Sequence, residues 1–576
     1  GGQGQDEMRE LLLDSPPPES HGQGPLSPPT AALHDVLLQL ESIVDEPSAR
    51  GLFLRLGSWG GAWGRAADLR EGLSAIREAG KPIHCHFEIA DNASFAILAS
   101  SCDRITMTPA GVLDLVGPAA HVFYARSLLD SIGVRAEVLQ VGRYKGTGDA
   151  LTQEDMPEAT REALGALLDD LHALLLAAIL PRATSEERAR ALIDAGPYGA
   201  SQALAAGLID DIEFDDEARE HARIAARDEA GLEDRGFRVR RVQAGPRSEP
   251  LGLAEILDAL SGAPDEEPEL GHRIALIQLE GSITDGDRSS DEAGRSGPFV
   301  TKLRELGDDA RVRAVVLRID SPGGSALASD RMWHAVRRVA ARKPVIVSVG
   351  DMAASGGYYI ASAGTEIFAH PESLLGSIGV VGGKLDVSAL ADRMGVHPVV
   401  IQRGEHAAWS SPVVALGEEE RGVLRDLLWQ TYSRFLRRVG EGRSMDREAV
   451  MAGAEGRIMT GRAALALGLI DREGGLQQAL ARAHELAEAE DLPIDVWPPR
   501  RGILDALASR MGGAQGAGSL ADPALGGRAA LEPGLQGLVL GAWELARESG
   551  ADALLIPLIQ GDHPIALALP YGLSLR

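Results

Sequence analysis

Apolar and polar positions along this chain fall into alternating strand-like and helix-like blocks. "HRIALIQLEGSI", opening at His272, reads as a strand by its β-branched alternation. "RAVVLRID", Arg313 to Asp320, is a nearly unbroken apolar run and predicts a buried strand. "SPGGSALASD" then turns into an amphipathic helix through Val339. "KPVIVSVG" is the next strand, "SGGYYIASAG" opens a further helix, "EIFAHP" is a short strand and "SIGVVGG" reads as a turn. Helices follow from Glu418 to Val439 and from Gly461 to Leu467. Strands alternating with helices imply parallel βαβ units packed around a sheet.

The pattern occurs twice. Lys81 to Gly142 aligns without gaps on Lys343 to Gly404 at an offset of 262, and "ALAAGLIDD" near Leu208 matches "AALALGLIDR" near Leu469. The predicted layout is a flexible Pro/Gly/Ser-rich tail over 1–30 and an N-terminal repeat over 31–245. An acidic linker over 246–271 and a C-terminal repeat over 272–497 follow. The extension over 498–576 has no counterpart and is expected to be partly ordered.

Composition narrows the function. The chain has 576 residues, too many for one core, and 44% are hydrophobic. A net charge of −27 argues against nucleic-acid binding, which needs a basic face. Cys85, in a predicted strand, and Cys102, at a predicted helix end, have no metal-ligand or CxxC spacing and are expected as buried free thiols. No run of about 18 apolar residues occurs, and "LLLAAIL" at Leu174 to Leu180 is too short to span a bilayer. The opening Gly1-Gly2-Gln3 in place of methionine implies a segment upstream, where a signal or anchor would lie.

The offset singles out two positions. Ser355 falls on Ala93, and Lys145 falls on Ala407. One copy keeps a serine and the other a lysine, as expected if two copies divide one catalytic dyad. Drift at two tolerant surface positions is the plain alternative. Ser355 lies in "DMAASGGYY" after a strand, and its small neighbours let a carbonyl approach. By itself it reads equally as an N-cap serine. The amide of Gly356, at a helix start, can face a developing oxyanion. The turn "DSPGGSA" offers a second donor at Gly323, or is simply a turn into a helix. The first copy keeps Gly60 and Gly61 but has Trp59 for Pro322, so it is expected to have lost that role. Lys145 must be neutral to act as a base, which requires burial away from carboxylates, and Asp149 lies close in sequence. Ser377, whose counterpart is Leu115, could orient the amine or be an ordinary turn serine. Among His84, His86, His334, His370, His397 and His406 none shows a clear Asp partner, and no HExxH or Walker-type motif occurs.

Together "DSPGGS", "DMAASGGYYIA", "LLGSIGVVGG" and the upstream "VGRYKG" resemble signal peptide peptidase A (protease IV), the long tandem-repeat form of the serine–lysine peptidases. The resemblance covers roughly residues 35 to 495. It implies an α/β fold of two tandem Clp-protease/crotonase-like repeats, each a ββα superhelix. It places the nucleophile on Ser355, the general base on Lys145, the lysine-orienting hydroxyl on Ser377 and the oxyanion donors on Gly323 and Gly356. It further implies hydrophobic peptide substrates such as remnant signal peptides, no cofactor or metal, and a homo-oligomer. Its members sit in the bacterial cell envelope, at the inner membrane with the catalytic part on the periplasmic side. This chain departs from the pattern in showing no anchor and in the glycine-rich "KGTGDALTQEDM" after the lysine. A crotonase-like acyl-thioester enzyme and a non-catalytic scaffold are the rival readings on the same fold.

Overall fold

A computed structural model describes residues 6–21, 31–232, 237–242, 271–286, 294–489 and 491–499, and the backbone of 565–567 and 574–575. The first repeat builds a sheet from β1 (Glu7–Leu13), β2 (Ala49–Leu56), β3 (Ile83–Asp91) and β4 (Arg104–Asp114). These four run parallel in the order β4-β3-β2-β1, with Arg238–Arg241 beyond β1. One further strand of this half, β5 (Arg135–Val141), leaves that sheet. The second repeat repeats the plan with β6 (Arg273–Glu280), β7 (Val312–Ser321), the short β8 (Gly324–Ser325), β9 (Val345–Ala354), β10 (Leu374–Gly376), β11 (Val380–Asp386) and β12 (Ile458–Thr460). Its sheet runs β12-β10-β9-β7-β6, with Ile494–Trp497 at the far edge. The architecture is therefore the mixed α/β, two-repeat class that the sequence implies.

Side-chain alternation explains how the repeats stack. Val315, Leu317, Val345 and Val347 face the second repeat's own helices, joining Phe299, Met332, Tyr359 and Phe435 in one core. Their neighbours Ala314, Val316 and Ile346 face the other way, into a core shared with Leu40, Leu69 and Leu73 of the first repeat. Helix α1 (Trp63–Glu78) lies at this boundary, and α2 (Asn92–Ser101) follows β3 in the first repeat. Continuous apolar strands are what a sheet covered on both faces requires.

Four expectations are corrected. Residues 1–30 are not a flexible tail throughout: Glu7–Leu13 is a strand between Ala49–Leu56 and Arg238–Arg241, because "EMRELLL" carries enough apolar surface to bury. The turn expected over Ser377–Gly383 is confined to its first residues, since the β-branched Val380 and Val381 start β11. Cys85 and Cys102 are disulfide-bonded, with Cα atoms 5.9 Å apart. The βα unit folds back so that strand and helix end meet, within bridging distance. Finally, α3 (Glu158–Ile179) belongs to a stretch, Glu158–Arg182, long and apolar enough to cross a membrane, though 44% of its apolar window is buried inside the protein. Leu164, Leu167 and Leu171 of that helix pack with Leu374 and Ile458 of the second repeat. The linker 246–270 and most of the extension 498–576 lie outside the described residues.

Candidate active site

The two repeats exchange a strand edge, and this brings the site together. β5 of the first repeat pairs antiparallel with β11 of the second, from Val141 opposite Val380 to Arg135 opposite Asp386. Lys145 follows β5 by four residues, and Ser377 precedes β11 by three. The ladder therefore delivers the lysine of one copy to the serine loop of the other within a single chain.

Lys145 Nζ lies 2.7 Å from Ser355 Oγ, 2.8 Å from Ser377 Oγ and 2.9 Å from the Ser377 carbonyl oxygen. All three residues are fully buried. Burial alone holds the Lys145 amine well below the ordinary lysine pKa, with no charged neighbour contributing. Asp149 faces elsewhere, accepting from Gln140 Nε2 at 3.1 Å and Thr160 Oγ1 at 3.4 Å. Burial raises its own pKa. The amine is thus dry and free of a carboxylate.

Both serines have left-handed backbones, with φ of 53° at Ser355 and 52° at Ser377. This conformation is costly for a residue with a side chain and persists where surrounding structure imposes it. Here β9 ends and α4 (Gly356–Ala361) begins with no intervening loop, so Ser355 makes the whole turn. Its amide donates to the Gly376 carbonyl at 2.8 Å, which ties the two serine turns together.

Gly323 and Gly324 have φ of 106° and 156°, and a Cβ on Gly324 would lie 2.0 Å from the Ile283 oxygen. A Cβ on Gly356 would meet Ser329 Oγ at 2.6 Å and the Gly323 Cα at 3.2 Å. The two glycine segments therefore touch, which only side-chain-free residues allow. The Gly323 amide donates to Ser321 Oγ at 3.2 Å, a long bond that a better acceptor would displace. Ser321 is thus a site neighbour that sequence reading passed over.

In the first copy the corresponding loop is closed by its own acid. Asp91 Oδ2 accepts from the amides of Trp59 and Gly60 at 2.7 and 2.6 Å and from Ser58 Oγ at 2.5 Å. Ala93 and Leu115 are fully buried in apolar packing.

None of the six histidines weighed from the sequence shares a hydrogen bond with Ser355 or Lys145. His370 has the carboxylate partner that sequence spacing did not show, Asp68 Oδ1 at 3.1 Å, in a cluster between the repeats. His86 bonds Thr106 and Thr108, and the half-buried His406 meets Glu420. Among the described residues, one group, Glu405, His406 and Glu419, brings potential metal-ligand atoms within 4.8 Å, but it lies at the surface and shares no bond with the site.

Sequence reading also missed a clamp behind the lysine. The Tyr144 amide donates to the Glu455 carbonyl at 2.7 Å, the Gly456 amide to that of Ile378 at 2.8 Å, and the Ser377 amide to that of Arg457 at 2.7 Å. The Arg457 guanidinium stacks 4.0 Å from the Tyr144 ring centre, and Tyr144 Oη donates to Glu162 Oε1 at 2.8 Å. Its main-chain partners lie far apart in sequence, so no local signal marks it.

A buried hydroxyl within hydrogen-bond reach of a buried amine whose pKa is lowered is an arrangement that nucleophilic catalysis can use. Comparison with known proteins carries this further. The description "Peptidase family S49" matches the chain twice, over residues 75–228 and 337–490, and the chain belongs to that family of serine-type peptidases. It is 30% identical to "Protease 4" of Salmonella typhi over 84% of this chain and 76% of that one. It is 29% identical to "Serine protease SPPA, chloroplastic" of Arabidopsis thaliana over 77% of this chain, spanning 64% of that longer relative. It is 33% identical to "Putative signal peptide peptidase SppA" of Enterococcus faecium over 37% of this chain. The two family matches fall on the two copies identified from the sequence offset.

Proposed function

We propose that this chain is a serine endopeptidase that cleaves hydrophobic peptides, remnant signal peptides among them, through an acyl-enzyme formed on Ser355. The observation that carries the reading is the 2.7 Å contact between Ser355 Oγ and an amine with no carboxylate partner. A neutral amine has two hydrogens and one lone pair. The Ser377 carbonyl can only accept, so it takes one hydrogen, and Ser377 Oγ can take the other. The lone pair then faces Ser355 Oγ and can accept its proton.

Ser355 attacks the peptide carbonyl, and Lys145 takes the hydroxyl proton. The amides of Gly323 and Gly356 hold the oxyanion, each worth about 3 kcal/mol in the transition state. Lys145 returns the proton to the leaving amine, and water then frees the acid product. No metal or cofactor enters these steps. The divided dyad assigns the base to an N-terminal half over 31–245 and the nucleophile to a C-terminal half over 272–497, with the N-terminal half extended at its start by β1.

The Cys85–Cys102 disulfide supports a location outside the reducing cytosol, in keeping with a cell-envelope enzyme. Self-association is supported by exposed apolar side chains on two segments. Phe123 and Leu128 are 69% and 64% exposed, and Val399 and Ile401 are 83% and 82% exposed.

The test is hydrolysis of an apolar peptide, with a fluorophosphonate probe as active-site label. Ser355→Ala should lose both hydrolysis and labelling, and Lys145→Ala should lose about 10² to 10⁴ in kcat while the fold persists. Full activity in either variant would overturn the dyad, and labelling at another serine would move the nucleophile.

A further inference from the structure

The groove beside the nucleophile already holds a strand. Two late segments are strands, β13 (Ile565–Leu567) and β14 (Ser574–Leu575). β13 lies between β8 and β11 and runs antiparallel to both. Leu567 and Ala566 pair with Gly324 and Ser325 on one side, and Ala566 and Ile565 pair with Val381 and Gly382 on the other. The full order is β8-β13-β11-β5, which joins the glycine turn, the late segment, the serine-loop strand and the lysine strand in one sheet. Farther on, β14 pairs antiparallel with Ala120–His121 of the first repeat.

The two edges that β13 fills flank the proposed chemistry. β8 starts one residue after Gly323, and β11 starts three residues after Ser377. A main chain paired on both edges at such a place is how a peptidase takes an extended peptide by strand addition. The polarity is defined as well. Reading β8 backwards from Ser325 to Gly324, toward Gly323, follows β13 forwards from Ala566 to Leu567. Residues of β13 therefore occupy the side of the groove that precedes an attacked bond. The chemistry also agrees: "PIALALPYGLSL", Pro564 to Leu575, has no charged residue in a chain that is 24% charged.

We infer that segment 565–567 is an internal peptide ligand of this groove, held with substrate polarity and in competition with external apolar peptides. The inference rests on the peptidase reading for what the groove accepts, and on backbone pairing alone for what occupies it. A tethered ligand competes at an effective concentration in the millimolar range, enough to weaken a free peptide's apparent affinity severalfold or more.

The test uses the Ser355→Ala chain, so that no turnover intervenes. Three forms are compared: full length, full length with Ala566→Pro, and a chain stopped after His563. Proline lacks the amide hydrogen and does not fit a strand paired on both sides. Hydrogen exchange of the β8 and β11 amides reports occupancy, and a fluorescent peptide of alternating alanine and leucine reports competition. Full-length protein should be protected. The other two forms should exchange faster and bind the peptide about tenfold more tightly. Equal exchange in all three overturns the inference, and faster exchange with unchanged peptide affinity reduces β13 to a covering strand and overturns it too. Wild-type hydrolysis is read separately. If exchange responds as stated but no peptide is ever cut, the peptidase reading fails and the occupancy stands.

Discussion

The chemistry proposed for this chain depends on one amine being uncharged, and that has a signed consequence for pH. Burial lowers the Lys145 pKa well below the ordinary lysine value. Below that depressed value the amine is protonated and cannot accept from Ser355. As pH rises through it, kcat/KM should climb and then level off, with the limb far below the usual lysine range. A limb that instead followed a group near the ordinary histidine value, unaltered by Lys145→Ala, would point to another base. Ser377→Ala removes the hydroxyl 2.8 Å from the amine but keeps the carbonyl contact, which is main chain. One lost hydrogen bond of about 1 kcal/mol should lower kcat roughly three- to tenfold with KM little changed. These two serines and the lysine could be singled out in the sequence because a duplicated chain supplies its own control. Each stands opposite an apolar residue in the other copy, at Ala93, Leu115 and Ala407. Ser321 has no such contrast and went unnoticed, although its hydroxyl takes the Gly323 amide.

At the scale of elements, strands and helices with strong local patterning were readable, and features made by pairing distant segments were not. "RAVVLRID" and "KPVIVSVG" become β7 and β9 as expected, and the long helix from Glu418 runs to Arg443. The cysteines were misread because spacing shows neither the fold-back of β3 on α2 nor the 5.9 Å Cα separation it creates. Closing a loop between bridge positions separated by 17 in sequence stabilises by about 2 to 4 kcal/mol. A reductant, or the Cys85→Ser/Cys102→Ser pair, should therefore lower the thermal midpoint, and an unchanged midpoint under reduction would show that the bridge does not form. The clamp behind the lysine was equally hidden. Gly456 has a φ of 82°, and a Cβ there would lie 2.5 Å from the Lys145 N, Cα and Cβ atoms. Gly456→Ala must push the lysine backbone away from the serine turn. Since the edges proposed to take a peptide belong to β8 and β11, kcat should fall by tenfold or more while KM stays nearly constant. A rise in KM at unchanged kcat would mean that the loop belongs to the groove instead.

At the scale of the whole molecule, a buried charge cluster that no sequence pattern announces lies where the repeats stack. Arg318 of β7 is fully buried. It donates to Glu19 at 2.7 and 3.0 Å, to Asp68 of α1 at 2.6 Å and to Ser348 of β9 at 2.9 Å. Asp68 in turn accepts from the Leu476 amide at 2.9 Å and meets His370 at 3.1 Å. Each partner is an ordinary charged residue in its own neighbourhood, and Glu19 lies in the stretch whose proline and serine content reads as a loose tail. Only the stacking of one repeat on the other makes them meet. Arg318 holds the Asp68 carboxyl far below its usual pKa, whereas burial outweighs the same cation at Glu19 and raises it. Arg318→Met would leave two carboxylates in a dry interface without their cation, a change that costs about 3 to 5 kcal/mol where buried pairs are broken. The Glu19 carboxyl, already raised by burial, would then rise further, so the folded form would bind more protons there than the unfolded form. The variant's stability should accordingly rise as pH falls from 7 toward 5, and its deficit against wild type should shrink over that interval. Denaturant unfolding of both proteins at the two pH values measures this. A deficit that is the same at both would mean that the loss comes from packing around the guanidinium, and that these acids are not what joins the halves.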